Sequence, residues 1–262
     1  MKHVTVNLTG GLGNQLFQYA YGRARSLSLG IPLVLNSWKL ISPNKIDTPR
    51  TLGLDAFNIK AIIVNEKPNK IGVFIDRVLY GLGLKVQFFQ NESYFAEHAM
   101  IIRDDLTLKN QMGEAALAIQ VAIRNTSCPV SVHIRRGDYA NNPKTRAFHG
   151  TCSSNYYWQA MTVILGEYSD ASFFVFSDDM QWVKDNLTLP EQTLFVSDST
   201  IKDYEELTLM SQCSHNIIAN STFSWWGAWL NPNPEKIVIA PKRWFAKRKE
   251  NPSLPNWVKL DN

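Results

Sequence analysis

The chain has 262 residues, 45% of them hydrophobic and 19% charged, which supports a sizeable core and excludes a globally disordered chain. A formal net charge of +4 can steer an anionic ligand but is too small and too dispersed for a nucleic-acid binder. Cys128, Cys152 and Cys213 stand far apart with no C-x-x-C pair; that excludes a disulfide framework and a thiolate metal cage, and they read as reduced intracellular thiols.

Met1 to Leu8 enters a strand pattern at once, with no secretory leader core. The strand is predicted over His3–Leu8, followed by the loop Thr9-Gly10-Gly11-Leu12-Gly13-Asn14 and a helix from Gln15 to about Leu29, which Gly30 ends. A strand over Pro32–Leu35 completes a β–loop–α–β opening of the Rossmann kind. Residues 36–85 read as irregular, with Pro43, Pro49 and Pro68. A strand over Val86–Phe89 and helical stretches near 92–100 and 113–124 close the first half.

The second half is more regular. Strands are predicted at Pro129–Ile134, Ser172–Phe176, Thr193–Val196, Asn216–Ala219 and Ile237–Ala240, with helices at about 153–167, 179–186, 202–212 and 222–230 between them. Strands alternating with short helices imply a parallel, doubly wound sheet. The fold expected is therefore α/β, with two Rossmann-like lobes, 1–126 and 127–262, facing across a cleft. No apolar run approaches the ~20 residues that span a bilayer. A cytoplasmic protein is expected, attached to a membrane at most peripherally through the basic stretch Pro241–Lys249, which reads more simply as a solvated tail.

Three segments carry chemistry. Gly10-Gly11-Leu12-Gly13-Asn14-Gln15 lies between a strand and a helix, where Gly11 and Gly13 let a ligand approach the backbone and a helix N-terminus favours an anion. It is not G-x-G-x-x-G, and the next strand ends at Asn36 rather than at an acid, so dinucleotide binding is disfavoured. A tight structural turn explains the loop equally well. In His133-Ile134-Arg135-Arg136-Gly137-Asp138-Tyr139, strand alternation points His133 and Arg135 one way and Arg136 the other. An arginine fork at the carboxyl end of a strand suits a diphosphate; the competing reading, stronger for Arg136, is an ion pair closing the strand. In Asn220-Ser221-Thr222-Phe223-Ser224, helix capping and a phosphate-binding helix N-terminus are both served. Trp225, Trp226 and Trp229 read as core.

These segments, with HG-x-C-S-x-x-YY at 149–157 and FFVFSDD at 173–179, resemble the α-1,2-fucosyltransferase family, as a bacterial member, along nearly the whole chain. More distant similarity extends to protein O-fucosyltransferases and α-1,6-fucosyltransferases. The resemblance implies a GT-B-type fold, with GDP-fucose mainly on the second lobe and a galactose-containing acceptor mainly on the first. It implies that Arg135 holds the β-phosphate with Arg136 in support, that His133 approaches ribose or guanine, and that Asp178 accepts from the guanine edge. Ser221, Thr222 and Phe223 would line diphosphate and fucose, and Asn14 would reach the reacting centre. It implies an inverting transfer from GDP-β-L-fucose, with no cofactor.

No metal is needed if arginine meets the leaving charge, and neither Asp104-Asp105 nor Asp178-Asp179 has the D-x-D spacing. The α-1,6 relatives carry a glutamate soon after the arginine motif, whereas no Asp or Glu occurs here between Asp138 and Glu167. Asp138 and His149 are then the candidate bases, each with a structural role as the alternative, and a weakly assisted reaction stays open. Competing functions are another GDP-sugar transferase, an O-fucosyltransferase acting on protein, and a non-catalytic nucleotide-sugar or glycan-binding protein.

Overall fold

Strand Val4–Asn7 (β1) pairs in parallel with Leu33–Asn36 (β2), and β2 with Ile62–Val64 (β3), in the computed structural model, which describes residues 2–41, 50–67, 88–137, 150–246 and 248–262. The chain divides into two compact units, Met1–Gln111 and Met112–Asn262. In the first, helix α1 (Leu12–Leu29) links β1 to β2, and a short helix α2 (Trp38–Ile41) follows. Helix α1 starts three residues before Gln15, because Gly11 is its cap and the Gly11 carbonyl accepts the Asn14 and Gln15 N–H groups. Gly30 ends it in the left-handed region (φ 62°), as expected from the sequence.

The core of this unit is Leu8, Leu16, Phe17, Ala20, Leu35 and Phe95. Helix α3 (Ala99–Asp105) is tied to α1 through Asp105, which accepts from the Tyr19 hydroxyl and Arg23 Nε, both at 2.7 Å. Burial pushes the Tyr19 hydroxyl well above its ordinary pKa. Two departures from the sequence reading are short elements: β3 lies within the stretch read as irregular, and 3₁₀ turns replace helix over 92–98. The strand expected over 86–89 falls partly outside the described residues, and Phe89 is not in a strand.

The second unit opens with helix α4 (Glu114–Arg124). The division therefore falls at 111/112 and not at the expected 126/127. Two interactions explain this. Ala116 and Ile123 of α4 pack with Phe174, Phe176, Leu209 and Met210, and the Gly113 N–H donates to Glu205 at 2.7 Å. The sheet comprises β4 (Cys128–Ile134), β5 (Ala171–Ser177), β6 (Thr193–Phe195), β7 (His215–Ile217), β8 (Val238–Pro241) and β9 (Val258–Leu260), all parallel, in the order β6-β5-β4-β7-β8-β9. Helices α5 (Ser154–Glu167), α6 (Met180–Asn186), α7 (Asp203–Ser211) and α8 (Thr222–Leu230) connect its strands.

Every residue of β4 is buried, as a central strand covered on both faces must be. Val130, Val132 and Ile134 pack with Tyr156, Ala160 and Ile164. Trp225, Trp226 and Trp229 are buried, as expected. Among the described residues no helix is long and apolar enough to cross a membrane. The cysteines are free and buried, and burial raises the Cys152 thiol to about 12.

Candidate active site

Strand order reverses between β4 and β7, whose neighbours lie in opposite directions along the sheet. In open α/β sheets the crevice outside the strand ends at such a reversal is where ligands bind. The chain leaves β4 through Arg135-Arg136-Gly137 and leaves β7 through Ile218–Ser221 into α8. Two of the segments singled out by their chemistry thus flank one position in the fold.

At the end of β4, Arg135 Nη1 lies 2.7 Å from Asp178 Oδ2, each side chain about a quarter exposed. The other oxygen, Asp178 Oδ1, accepts the Arg136 N–H at 2.8 Å. Both oxygens of the residue expected to read guanine therefore engage the arginine segment. Gly137 is required by this closeness, since a Cβ there would run into the Asp178 carboxylate. The Arg136 guanidinium stacks 3.7 Å above the Trp182 ring, and its Nε is 4.0 Å from Asp179. Asp179 also caps α6, accepting from Trp182 N at 3.2 Å.

His133 is 4% exposed, and its Nδ1 has no hydrogen-bond partner among the described residues. Burial, reinforced by the Arg135 charge, lowers its pKa to about 3. The imidazole is neutral at physiological pH, so it can meet a ligand through a neutral hydrogen bond and not as a cation. Its ring packs against Phe223 at 5.5 Å, joining β4 to the start of α8. Ser221 caps α8 by accepting from Phe223 N at 3.3 Å. Thr222 and Phe223 are the partly exposed residues of that first turn. Asn220 is buried and binds the Trp244 carbonyl at 3.2 Å, bracing the turn from behind.

The structure thus gathers His133, Arg135, Arg136, Asp178, Ser221, Thr222 and Phe223 in the second unit. Gly11, Gly13 and Asn14 belong to the first: Gly11 caps α1, Gly13 is buried in its first turn, and Asn14 Oδ1 accepts from Gln90 Nε2 at 2.9 Å. Asp138 and His149 lie outside the described residues. Among the described residues no group of three or more His, Cys, Asp or Glu is placed to hold a metal ion.

Sequence reasoning missed Glu206, because Asp203, Glu205 and Glu206 read as ordinary acids of a helix's first turn. Glu206 sits among Ser197, Asp203, Asp178 and Asp198, and burial first, then these like charges, raise its pKa to about 7 against the opposing Ser197 hydrogen bond. A carboxyl raised on folding binds more protons in the folded than in the unfolded chain between its ordinary value and pH 7. It therefore destabilises the fold increasingly as pH rises through that window. Glu206→Gln is expected to stabilise the protein by about 1–3 kcal/mol at pH 8 and by nothing near pH 4.5. Thermal melts at the two pH values check this, and an equal effect at both would sink it.

A family model described as Glycosyl transferase family 11 matches residues 1–261. An O-antigen biosynthesis glycosyltransferase of Escherichia coli, WbnK, is 33% identical over 97% of this chain and 99% of its own. An alpha-1,2-colitosyltransferase of Escherichia coli is also 33% identical, over 100% of both chains. The crystal structure of fucosyltransferase NodZ from Bradyrhizobium covers 88% of this chain and 95% of its own with a TM-score of 0.56. At 12% identity that likeness is one of fold; the fold is α/β of the GT-B type.

Proposed function

The chain belongs to glycosyl transferase family 11, and from that premise we propose that it transfers L-fucose from GDP-β-L-fucose to the 2-OH of a galactoside, with inversion. The observation that carries the donor half is the placement of Arg135 after β4 and of the N-terminus of α8 after its neighbour β7, at the reversal of strand order. As the glycosidic bond to the diphosphate breaks, negative charge grows on the leaving phosphate oxygens. A fixed guanidinium and a helix N-terminus stabilise that charge without rearranging, the electrostatic contribution that usually dominates.

In this reading Arg135 holds the β-phosphate, and Ser221, Thr222 and Phe223 line diphosphate and fucose. Neutral His133 faces ribose or guanine. Asp178 aims Arg135, the task its present partners suit. No metal enters, because the arginine and helix supply the positive potential. The acceptor binds mainly to the first unit near Gly11, Gly13 and Asn14, and the proton of its hydroxyl goes to Asp138 or His149 or leaves with weak assistance.

The alpha-1,2-colitosyltransferase relative favours a second donor, GDP-colitose, whose sugar is fucose without its 3-OH. A site that hydrogen-bonds that hydroxyl would reject colitose strongly, and an apolar pocket would discriminate weakly. The test incubates the protein with either donor and lactose in EDTA. The expected result is 2′-fucosyllactose and GDP at a rate that EDTA does not change. Exclusive use of GDP-colitose overturns the fucose assignment, and loss of turnover in EDTA overturns the metal-free one. Failure to bind or turn over either donor overturns the function.

A further inference from the structure

Phe89 is the single non-glycine residue with positive φ among those described, at 50°, a conformation bulky L residues rarely adopt. Three rings hold it there. The Phe89 ring lies flat on Tyr21, 3.7 Å between centroids and 5° between planes, and Tyr94 meets both edge-on at 5.6 and 5.8 Å. The turn is closed from below, since Asn91 N donates to the Phe89 carbonyl at 2.8 Å and Asn91 Oδ1 accepts from Ser93 N.

The consequence is the placement of the next side chain. Gln90 is brought to the first turn of α1, where its Nε2 donates to Asn14 Oδ1 at 2.9 Å. Gly10 leaves room for this pair: it sits at φ +81°, and a Cβ there would come within 2.6 Å of Asn14 Nδ2. Asn14 Nδ2 and Gln90 Oε1 make no hydrogen bond among the described residues, and both side chains are partly exposed. The linked amides therefore keep one donor group, Asn14 Nδ2, and one acceptor, Gln90 Oε1, for a ligand. A sugar hydroxyl both donates and accepts, and two such groups together match one hydroxyl or a vicinal pair on a pyranose ring.

We propose that Asn14 and Gln90 form the hydroxyl-binding pair for a pyranose acceptor, and that Tyr21, Phe89 and Tyr94 are positioning residues that aim it. This rests on the transferase reading above. The test compares full-length wild type with Gln90→Ala and with Gln90→Met, which keeps the length and loses the amide. Phe89→Ala removes the positioning ring. The readouts are KM and kcat for lactose, KM for GDP-fucose, and acceptor-free hydrolysis of GDP-fucose.

Both Gln90 variants should lose roughly 10-fold or more in kcat/KM for lactose, with the donor constants and hydrolysis within about twofold. Phe89→Ala should follow in the same direction and Phe89→Tyr should not. Lactose kinetics unchanged in Gln90→Met, or donor constants falling in step with them, overturn the proposal. If wild type transfers nothing, saturation-transfer NMR with lactose decides. Binding that Gln90→Met abolishes supports the pair although the transfer reading fails, and no binding by wild type overturns both.

Discussion

Arg135→Ala is expected to lower sugar transfer by about 10²–10³-fold, the loss typical of removing one pre-organised group from a developing negative charge. The side chain stands at the carboxyl end of a wholly buried strand, where β4 is held between β5 and β7. Its removal leaves the strand's own packing in place, because Val130, Val132 and Ile134 carry it. What is lost is a planar fork fixed by Asp178 at 2.7 Å. Arg135→Lys should recover only part of the rate, since an ammonium keeps the charge but not the fork. Turnover with GDP-fucose and calorimetric affinity for GDP check this together. A loss below about fivefold in both would remove Arg135 from the diphosphate.

The largest stability effect is expected at Asn216, which is fully buried on β7. Its Nδ2 donates to Ser131 Oγ on β4 at 2.7 Å and to the Met210 carbonyl at 2.8 Å, and its Oδ1 accepts from Asn231 Nδ2 at 2.8 Å. Asn231 in turn donates to the Cys213 carbonyl. This network fastens β4, β7, the end of α7 and the residue after α8 to one another behind the site. Asn216→Ala leaves several buried polar groups without partners as well as a small void. With each orphaned group costing about 1–3 kcal/mol, the expected loss is about 3–5 kcal/mol. In a chain of this size that lowers the melting temperature by roughly 10 °C. A shift of less than about 2 °C would show that the network contributes little.

Much of the second unit was legible. The predicted strand cores at 129–134, 172–176 and 193–196 agree with β4, β5 and β6 to within a residue or two. These are apolar runs bounded by turn residues, and their signal is local. Strand β9, Val258-Lys259-Leu260, was missed because three residues at a sheet edge carry almost no periodicity. Helix α4 was legible as a helix, but its allegiance to the second unit was not. That depends on Phe174, Phe176, Leu209 and Met210, which are distant in the chain.

The same division runs through the site. The motif FFVFSDD puts two carboxylates after a strand, but no spacing rule says that Asp178 takes Arg135 while Asp179 caps α6. Ser221 as a helix cap was legible, because capping involves neighbours two residues apart. Gln90 was not, because its partner is 76 positions away. Phe89 gave no warning of its positive φ, a conformation that sequence usually announces with glycine or asparagine.

The sequence by itself determined the alternation of strands and helices in the second unit, the polar residues after each strand, and the resemblance that places the chain in its family. All of these are carried by residues near one another or by whole motifs. Only the tertiary structure decided the strand order, and with it the reversal that sets Arg135 and the start of α8 after adjacent strands. It alone paired Arg135 with Asp178 and Gln90 with Asn14. Those contacts join segments far apart in the chain, and they form because packing the sheet and its helices brings those polar groups within reach of one another.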